Sequence, residues 1–187
     1  KLHPQVQLSV RAKKEGLGPA YVHGFKWALD KGYSYLFEMD ADFSHPPESL
    51  VQMLELLEDN KADLVVGSRY KNGIRVRNWP LGRILLSVGA SLYVKLITGL
   101  PVTDPTAGFV GYQTNVLHAL DLEDIRFKGY AFQIALKFWA WKKGFRIAEF
   151  PIIFTDRIQG DSKMNSSIIS EAIFGILAMK WRSMFKK

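Results

Sequence analysis

Two acidic residues stand one residue apart where a short apolar segment ends. Asp40 and Asp42 follow the mostly apolar residues 35–39 and precede two prolines, within the stretch FEMDADFSHPP at residues 37–47. Because the chain leaves a strand there, both carboxylates can turn toward one point, where they repel each other unless a cation lies between them. Ligands that are all oxygen favour Mg²⁺ or Mn²⁺ over zinc. A second interpretation stays open, in which Asp42 and Ser44 cap the next helix; His45 is expected to pack or hydrogen-bond rather than bind metal.

Basic side chains follow in polar positions farther along the chain. Arg69 comes after VVGS, Arg83 opens a long apolar segment with Ser87 one turn later, and Arg157 and Lys163 lie in DRIQGDSKMNSS. Basic groups in polar loops are usually solvated. If these residues converge on the two acids, they form a clamp for phosphate, to which the arginine fork is well suited.

Alternating strands and helices are predicted to position these residues. This order favours an α/β fold with a largely parallel sheet flanked by helices, in which ligands bind beyond the carboxyl ends of the strands. Asp40, Asp42 and Arg69 all fall at such ends. Strands are predicted at residues 6–10, 35–39, 62–70 and 106–113, with a strand pair or a bulged strand at 145–154. Helices are predicted from Pro19 to a stop at Gly32, and at residues 47–60, 82–98, 130–143 and 166–185.

The charge and the cysteine content of the chain indicate which classes of partner it can bind. The 187 residues carry a formal charge of +7 and no cysteine, which favours anionic partners and excludes disulfides and thiolate metal sites. Neither a signal peptide nor a membrane-spanning segment is expected from the apolar runs. Nucleic acid is a weak alternative partner, because the basic residues are not interleaved with a pattern of stacking aromatic residues.

Several motifs in order resemble a known family. The stretches FEMDADFSHPP, VVGSRY, DPTAGFVGYQ, GYAFQIALKFWAWKKGFRIAEFPIIFTDR and GDSKM are similar to the polyprenyl-phosphate (dolichol-phosphate) mannose synthase branch of glycosyltransferase family 2. The likeness extends over nearly the whole chain. It implies one catalytic domain with a GT-A fold. It also implies inverting transfer of a hexose from a nucleotide diphosphate sugar, GDP-mannose before others, to a polyprenyl or dolichyl phosphate.

The resemblance implies roles for particular positions. Asp40 and Asp42, with Ser44 as a weaker ligand, resemble the site for Mg²⁺ or Mn²⁺, and Asp42 is also assigned to catalysis together with Arg69 and Arg83. The phosphate-contacting positions that it implies are Asp40, Arg69, Arg83, Ser87, Arg157 and Lys163. The positions on the acceptor side are Asp104, Arg157 and Lys163.

Three departures from the family pattern are visible. The chain begins at what would be the family's third strand, so the strands that hold the nucleotide base are expected to be missing and donor binding to be impaired. Ser44 stands where the family often has glutamine. Ala135 stands where the family commonly has an acid, in FQIA instead of FQIE. These departures keep a second hypothesis open, a non-catalytic module that binds phosphate or a membrane surface; within the enzyme class, a glucosyl or other hexosyl transferase is the alternative to a mannosyl one.

The last predicted helix, within residues 166–187, is amphipathic. Apolar stripes that include Ile173, Phe174 and Trp181 end in a basic cluster of Lys180, Arg182, Lys186 and Lys187. The helix either packs on the sheet or lies in the headgroup region of a bilayer. A lipid acceptor favours the second arrangement, with peripheral association on the cytoplasmic face of a membrane. The sequence leaves the oligomeric state open.

Overall fold

The computed structural model describes residues 3–13, 15–125, 127, 129–156 and 166–185. Its helices are α1 Leu17–Asp30, α2 Ser49–Glu58, α3 Leu81–Thr98, α4 Thr114–Ala119, α5 Ala131–Lys142 and α6 Ser166–Arg182. Its strands are β1 Tyr35–Glu38, β2 Leu64–Ser68, β3 Val76–Arg77, β4 Val110–Gln113, β5 Ile147–Pro151 and β6 Phe154–Thr155.

Four of these strands form one mixed sheet in the order β1-β4-β2-β5. Strands β1 and β2 each pair with β4 in antiparallel fashion, and β2 pairs with β5 in parallel. Strands β1, β2 and β5 therefore run in one direction, and β4 runs against them. Strands β3 and β6 form a separate parallel pair. The prediction of a mixed α/β sheet flanked by helices is confirmed. The expectation of mainly parallel pairing is not met in the described part of the chain, because the reversed strand β4 lies between β1 and β2 and makes two of the three pairings of this sheet antiparallel.

The reversal of β4 decides which loops meet. The loops that follow β1, β2 and β5 leave the sheet at the same side as the loop that enters β4, because β4 runs the other way. We call this side the carboxyl edge. The loops at this edge come from four separate parts of the chain. They include the candidate site residues Asp40 and Asp42 after β1, Arg69 after β2 and Asp104 before β4.

Apolar side chains alternate between the two faces of the sheet, as the period of a strand requires. Leu64, Val66 and Tyr112 pack under α1, α3, α5 and α6, whereas Val65 and Phe109 pack under α2. Three of the helices over the larger face, α1, α3 and α5, end shortly before a glycine at the predicted stop. Gly99 ends α3 with φ 75°, a left-handed conformation that glycine adopts without a steric penalty.

Some predicted elements differ from the structure. Residues 6–10 form no strand, and Val6, Leu8 and Val10 are exposed; an extended segment becomes a strand only by pairing, and no described strand pairs with it. The segment 145–154 is two strands in different sheets, β5 and β6, separated by Ile152 and Ile153. The short elements β3 and α4 were not predicted.

Helices α3 and α6 lie side by side and present apolar side chains to the outside. Tyr93 Oη donates to the Ile173 carbonyl at 3.0 Å, and Lys180 Nζ donates to the Thr98 carbonyl at 3.3 Å. We call the exposed side of this pair the α3–α6 apolar face. Its large exposed residues are Leu81, Leu85, Leu86, Leu92, Leu96, Ile173, Phe174, Leu177, Trp181, Met184 and Phe185.

Helix α3 has the length and composition of a membrane span. It has 18 residues and a mean hydropathy of 1.4, and only 17% of that window is buried. By these two measures the expectation that no segment is long and apolar enough is wrong for α3. The helix nevertheless buries Ser91, Val94 and Thr98 against the rest of the protein, so its other side belongs to the fold.

Candidate active site

The two predicted acids lie in a tight loop after β1. Asp42 Oδ1 accepts a hydrogen bond from the Ser44 amide at 3.1 Å, and Phe43 between them has φ 61°. The main chain therefore turns sharply and brings Asp40 and Asp42 into one short loop at the carboxyl edge. Asp40 is exposed and Asp42 is half-buried, whereas Ser44 is almost fully buried.

His45 holds this loop to the rest of the protein. Its Nδ1 accepts a hydrogen bond from the Asp40 amide at 3.2 Å, and its ring lies 5.2 Å from the rings of both Phe109 and Phe154. Burial lowers the pKa of His45, although the neighbouring Asp40 carboxylate opposes that shift. These contacts confirm the expectation that His45 packs and hydrogen-bonds.

Arg69 and Asp104 form a buried ion pair at the same edge. Arg69 follows β2, and Asp104 lies in the loop that enters β4. The carboxylate of Asp104 accepts from the Arg69 amide at 2.9 Å, from Nε at 2.7 Å and from Nη2 at 2.6 Å. Nη2 also donates to Thr106 Oγ1 at 2.8 Å. Burial raises the pKa of Asp104, but the Arg69 guanidinium outweighs burial and holds it below its ordinary value.

An aromatic group joins Arg69 to the acid loop. The Arg69 guanidinium carbon lies 5.8 Å from the ring centre of Phe154 and 5.5 Å from that of Trp79. Phe154 also contacts His45, which holds Asp40. The acid loop and the ion pair thus share one aromatic neighbour and lie within a few side chains of each other.

Arg83 and Ser87 reach this group from the first turns of α3. The Arg83 guanidinium carbon lies 4.1 Å from the ring centre of Trp79, and Nη1 donates to Asp156 at 2.7 Å. Ser87 Oγ accepts a hydrogen bond from Tyr70 Oη at 2.6 Å. The structure therefore brings together Asp40, Asp42, Arg69, Arg83, Ser87 and Asp104, a convergence that the sequence alone left open. The roles of these residues stay predictions, and Arg157 and Lys163 lie outside the described residues.

Two further charged groups inside the protein were missed by sequence reasoning. Glu38, at the end of β1, and Lys137, in the middle of α5, are almost fully buried. Tyr112 Oη donates to Glu38 at 2.9 Å, and Lys137 Nζ donates to the Ala107 carbonyl at 2.7 Å. Burial raises the pKa of Glu38 to about 7 and lowers that of Lys137 to about 8.

A signal for Lys137 was present in the sequence. Lys137 stands in AFQIALKFWAW, a helix that is apolar on all sides, so a lysine at its centre has no solvated face to occupy. Ala135, in place of the family's usual acid, is completely buried in the same helix. The departure at Ala135 therefore lies in the core of the protein and not on its surface.

The oxygen atoms of the acid loop fit a hard divalent cation. Among the described residues, no group of three or more histidine, cysteine, aspartate or glutamate side chains is placed to hold a metal. Asp40 and Asp42 bring two carboxylates into one loop, and carboxylate oxygens completed by phosphate oxygens and water suit Mg²⁺ or Mn²⁺. The role of these two residues as metal ligands stays a prediction. Ser44 is buried and contributes its amide to the loop; its role as a ligand stays a prediction.

Solved structures with the same fold include glucosyl-3-phosphoglycerate synthase from Mycobacterium tuberculosis. In complex with Mn²⁺, uridine diphosphate and phosphoglyceric acid, that protein superposes with a TM-score of 0.60 at 17% identity, over 91% of this chain and 54% of its own. Its complex with phosphoglyceric acid alone gives a TM-score of 0.58 over 98% of this chain and 58% of its own. The fold is therefore of the GT-A class of glycosyltransferases.

The chain belongs to glycosyl transferase family 2, whose model matches residues 1–121. Relatives include an undecaprenyl-phosphate mannosyltransferase from Micrococcus luteus, which is 44% identical over 97% of this chain and 75% of its own length. A polyprenol monophosphomannose synthase from Mycolicibacterium smegmatis is 47% identical over 92% of this chain and 64% of its own. A dolichol-phosphate mannosyltransferase from Pyrococcus furiosus is 34% identical over 94% of this chain and 48% of its own length.

These matches confirm the resemblance to the polyprenyl-phosphate mannose synthase type. They also show that the chain spans between 48% and 75% of the length of these relatives.

Proposed function

We propose that this chain is the catalytic region of an inverting glycosyltransferase that moves a hexose, mannose before others, from a nucleotide diphosphate sugar to a polyprenyl phosphate. The observation that carries the proposal is the convergence of the Asp40–Asp42 loop, the Arg69–Asp104 pair and Arg83 at one edge of the sheet. The names of the relatives supply the class of acceptor and the sugar.

The proposed chemistry asks little of a general base. The acceptor phosphate is already anionic near neutral pH, and one of its oxygens forms the new bond to the anomeric carbon while the bond to the diphosphate breaks. Asp40 and Asp42 would hold Mg²⁺ or Mn²⁺, which neutralises charge on the leaving diphosphate. Arg69 and Arg83 lower the repulsion between two anionic substrates and orient them. This positioning raises the rate because the reacting atoms are already held next to each other.

The basic residues divide this work between them. Arg69 already gives Nε and Nη2 to Asp104 and Thr106, so it supplies charge from a rigid position. Arg83 is more exposed and stands on the face of Trp79, where it can reach a phosphate from the start of α3. We assign Arg69 to the organisation of the site and Arg83 to direct contact; Arg157 and Lys163 remain candidates for the same anionic substrates.

The α3–α6 apolar face supports association with a membrane surface. Nine large apolar residues are exposed on these two adjacent helices and two more directly after α6, and Arg83 of the site lies in the first turn of α3. A polyprenyl phosphate presents its phosphate at the headgroup level of a bilayer. Docking of this face would therefore place the start of α3 near the acceptor phosphate, and aromatic residues such as Trp181 suit that depth. We place the protein peripherally on the cytoplasmic face.

Transfer of labelled sugar tests the function. The protein is incubated with GDP-mannose, undecaprenyl phosphate in detergent and Mg²⁺ or Mn²⁺, and label is measured in the lipid extract, with UDP-glucose as the competing donor. We expect mannose transfer that Asp42→Asn abolishes and that Glu48→Gln, an exposed change at the start of α2, leaves unchanged. Absence of transfer from either donor with either metal would exclude the proposed activity, and transfer from UDP-glucose alone would identify the glucosyl alternative.

A binding measurement isolates the metal. Mn²⁺ is titrated calorimetrically into the wild type and into Asp42→Asn, each with a nucleoside diphosphate present. We expect the heat of binding to disappear in the variant, and equal binding by the two proteins would show that the acid loop does not hold the metal.

Flotation with liposomes tests the membrane surface. We expect the wild type to float with vesicles that contain anionic lipid. The double variant Leu85→Gln/Leu96→Gln should remain at the bottom, because it removes two leucines from the α3–α6 apolar face. Val51→Gln, a similar change at an exposed apolar residue of α2, is the control and should float. If the wild type and the double variant float equally, or neither floats, the assignment of this face is wrong.

A further inference from the structure

The loop that carries Asp104 is held at its first residues by a carboxylate from β5. Glu149 Oε1 accepts from the Thr103 hydroxyl at 2.6 Å and from the Asp104 amide at 3.1 Å, and Oε2 accepts from the Thr103 amide at 3.0 Å. The beginning of the loop is therefore tied to the strand beside β2. Of its later residues, 106–108, Ala107 is held within the loop by its amide, which donates to the Asp104 carbonyl at 3.3 Å, and a further contact comes from outside the loop.

Lys137 supplies that contact from beneath the loop. Its ammonium donates to the Ala107 carbonyl at 2.7 Å and to the Gln133 carbonyl of its own helix at 3.1 Å, and its side chain is completely buried. Ala107 follows directly on Thr106, whose hydroxyl accepts from Arg69. One short path thus leads from Lys137 through the loop to the Arg69 guanidinium.

The charges around Lys137 explain why a cation is kept in the core. The ammonium is stabilised by Glu38, Asp104 and Glu149 and opposed by Arg69. Burial of an uncompensated charge costs several kcal/mol, and an apolar residue would avoid that cost. An apolar residue would also leave the Ala107 carbonyl without this donor and the Glu38 carboxylate without a nearby positive charge.

We propose that Lys137 is a positioning residue, which holds the loop of Asp104 and Thr106 so that these two residues aim the Arg69 guanidinium at the site. Lys137 contacts no substrate itself, since it is buried. It acts on the reaction only through Arg69, and its effect on turnover rests on the proposed function. Its effect on the orientation of Arg69 does not, and the two are measured separately.

The orientation of Arg69 is measured by the hydrogen exchange of its Nε–H group, with ¹⁵N-labelled arginine in NMR spectra. The resonance is assigned by its loss in Arg69→Lys. We expect exchange to be slow in the wild type and roughly tenfold faster in Lys137→Met, because a looser loop opens this hydrogen bond more often. Lys142→Met, an exposed change on the same helix, is the control and should leave the exchange unchanged.

A second variant guards against loss of folding. If Lys137→Met does not fold, Glu38→Gln/Lys137→Met removes both buried charges and carries the same measurement. Equal exchange of the Arg69 Nε–H in the wild type and in the folded variant overturns the proposal.

Turnover gives the functional side of the test. We expect Lys137→Met to lower kcat/KM about tenfold in the wild type but less than about twofold in an Arg69→Lys background, since a residue that acts through another is not additive with it. Additive losses overturn the proposal. Faster exchange at Arg69 in a protein whose wild type transfers no sugar supports the positioning role and contradicts the proposed function.

Discussion

Substitution of Asp104 by asparagine removes one charge from the buried pair while nearly keeping the shape of the side chain. Asp104 is completely buried, and the Arg69 side chain is only 12% exposed. The three N–H groups that Arg69 directs at Asp104 meet a carboxylate in the wild type. In the variant they meet one carbonyl oxygen and one amide group that is itself a donor. The Arg69 charge is then left without its partner in a site with little water.

The expected loss follows from this burial. Breaking a buried ion pair by removing one partner costs about 3–5 kcal/mol. For a chain of this size, each kcal/mol lowers Tm by about 2–4 °C, so we expect a drop of about 10 °C. A loss of this size is a large fraction of the 5–15 kcal/mol by which most proteins are stable.

The chain contains a matched control. Asp63 accepts from the Arg146 amide at 2.7 Å, from Nε at 3.0 Å and from Nη2 at 2.8 Å, which is the same arrangement as in the Arg69–Asp104 pair. The Arg146 side chain, however, is 54% exposed. Because solvent screens such a pair, Asp63→Asn should lower Tm far less than Asp104→Asn.

Urea unfolding followed by circular dichroism measures both losses, and pH provides an internal check. The pKa of Asp104 lies below its ordinary value of 3.8, so its contribution is fully present above that pH and disappears as the pH falls through the folded-state pKa. The difference between the wild type and Asp104→Asn should therefore shrink in acid. Equal losses for Asp104→Asn and Asp63→Asn, or a difference that does not change in acid, would refute the importance given to burial.

The remaining predictions concern the packing around two glycines and the charge of Lys137. In Gly111→Ala the new Cβ would overlap the Phe37 ring at Cε1, so overpacking should lower the free energy of unfolding by about 1–3 kcal/mol. Gly89→Ala on open α3 surface should raise it by up to about 1 kcal/mol; equal signs in urea unfolding would contradict the packing argument. Burial lowers the pKa of Lys137 from 10.5 to about 8. The Arg69 charge also lowers it, whereas the carboxylates of Glu38, Asp104 and Glu149 oppose the shift. The stability of the wild type relative to Lys137→Met should therefore rise between pH 8 and 10.5, by up to about 3 kcal/mol, and a flat difference would show that the lysine titrates normally.

The part of the site that the sequence predicted consists of residues next to strand ends. Asp40, Asp42 and Arg69 each follow a short apolar run. Such a run predicts a buried strand, and the polar residue after it predicts the end of that strand, so these three residues could be assigned to one edge of the sheet. His45 was also predicted correctly, because a single histidine between prolines and polar residues has more ways to pack than to bind metal.

The contacts between distant residues were not predictable in the same way. The Arg69–Asp104 pair depends on the reversed direction of β4, and nothing in the residues of β4 fixes that direction. The strand predicted at residues 6–10 had the alternation of a strand but no partner in the described part of the chain, and alternation alone does not supply one. Lys137 was overlooked because only basic residues in loops and at the ends of predicted elements were considered, although its neighbours in α5 are mostly apolar.

The strand order also has a consequence for folding. Within the sheet, the strands that pair are far apart in the chain: Tyr35 of β1 meets Gln113 of β4, and Leu64 of β2 meets Tyr112 of β4 on one side and Ile147 of β5 on the other. A topology dominated by such distant contacts folds slowly, because long loops must close before any pair is formed. During synthesis, β1 and β2 leave the ribosome well before β4 and have no partner in this sheet until it arrives. We therefore expect the nascent chain to expose two apolar strands for several seconds at typical rates of elongation, and to depend on chaperones in that interval.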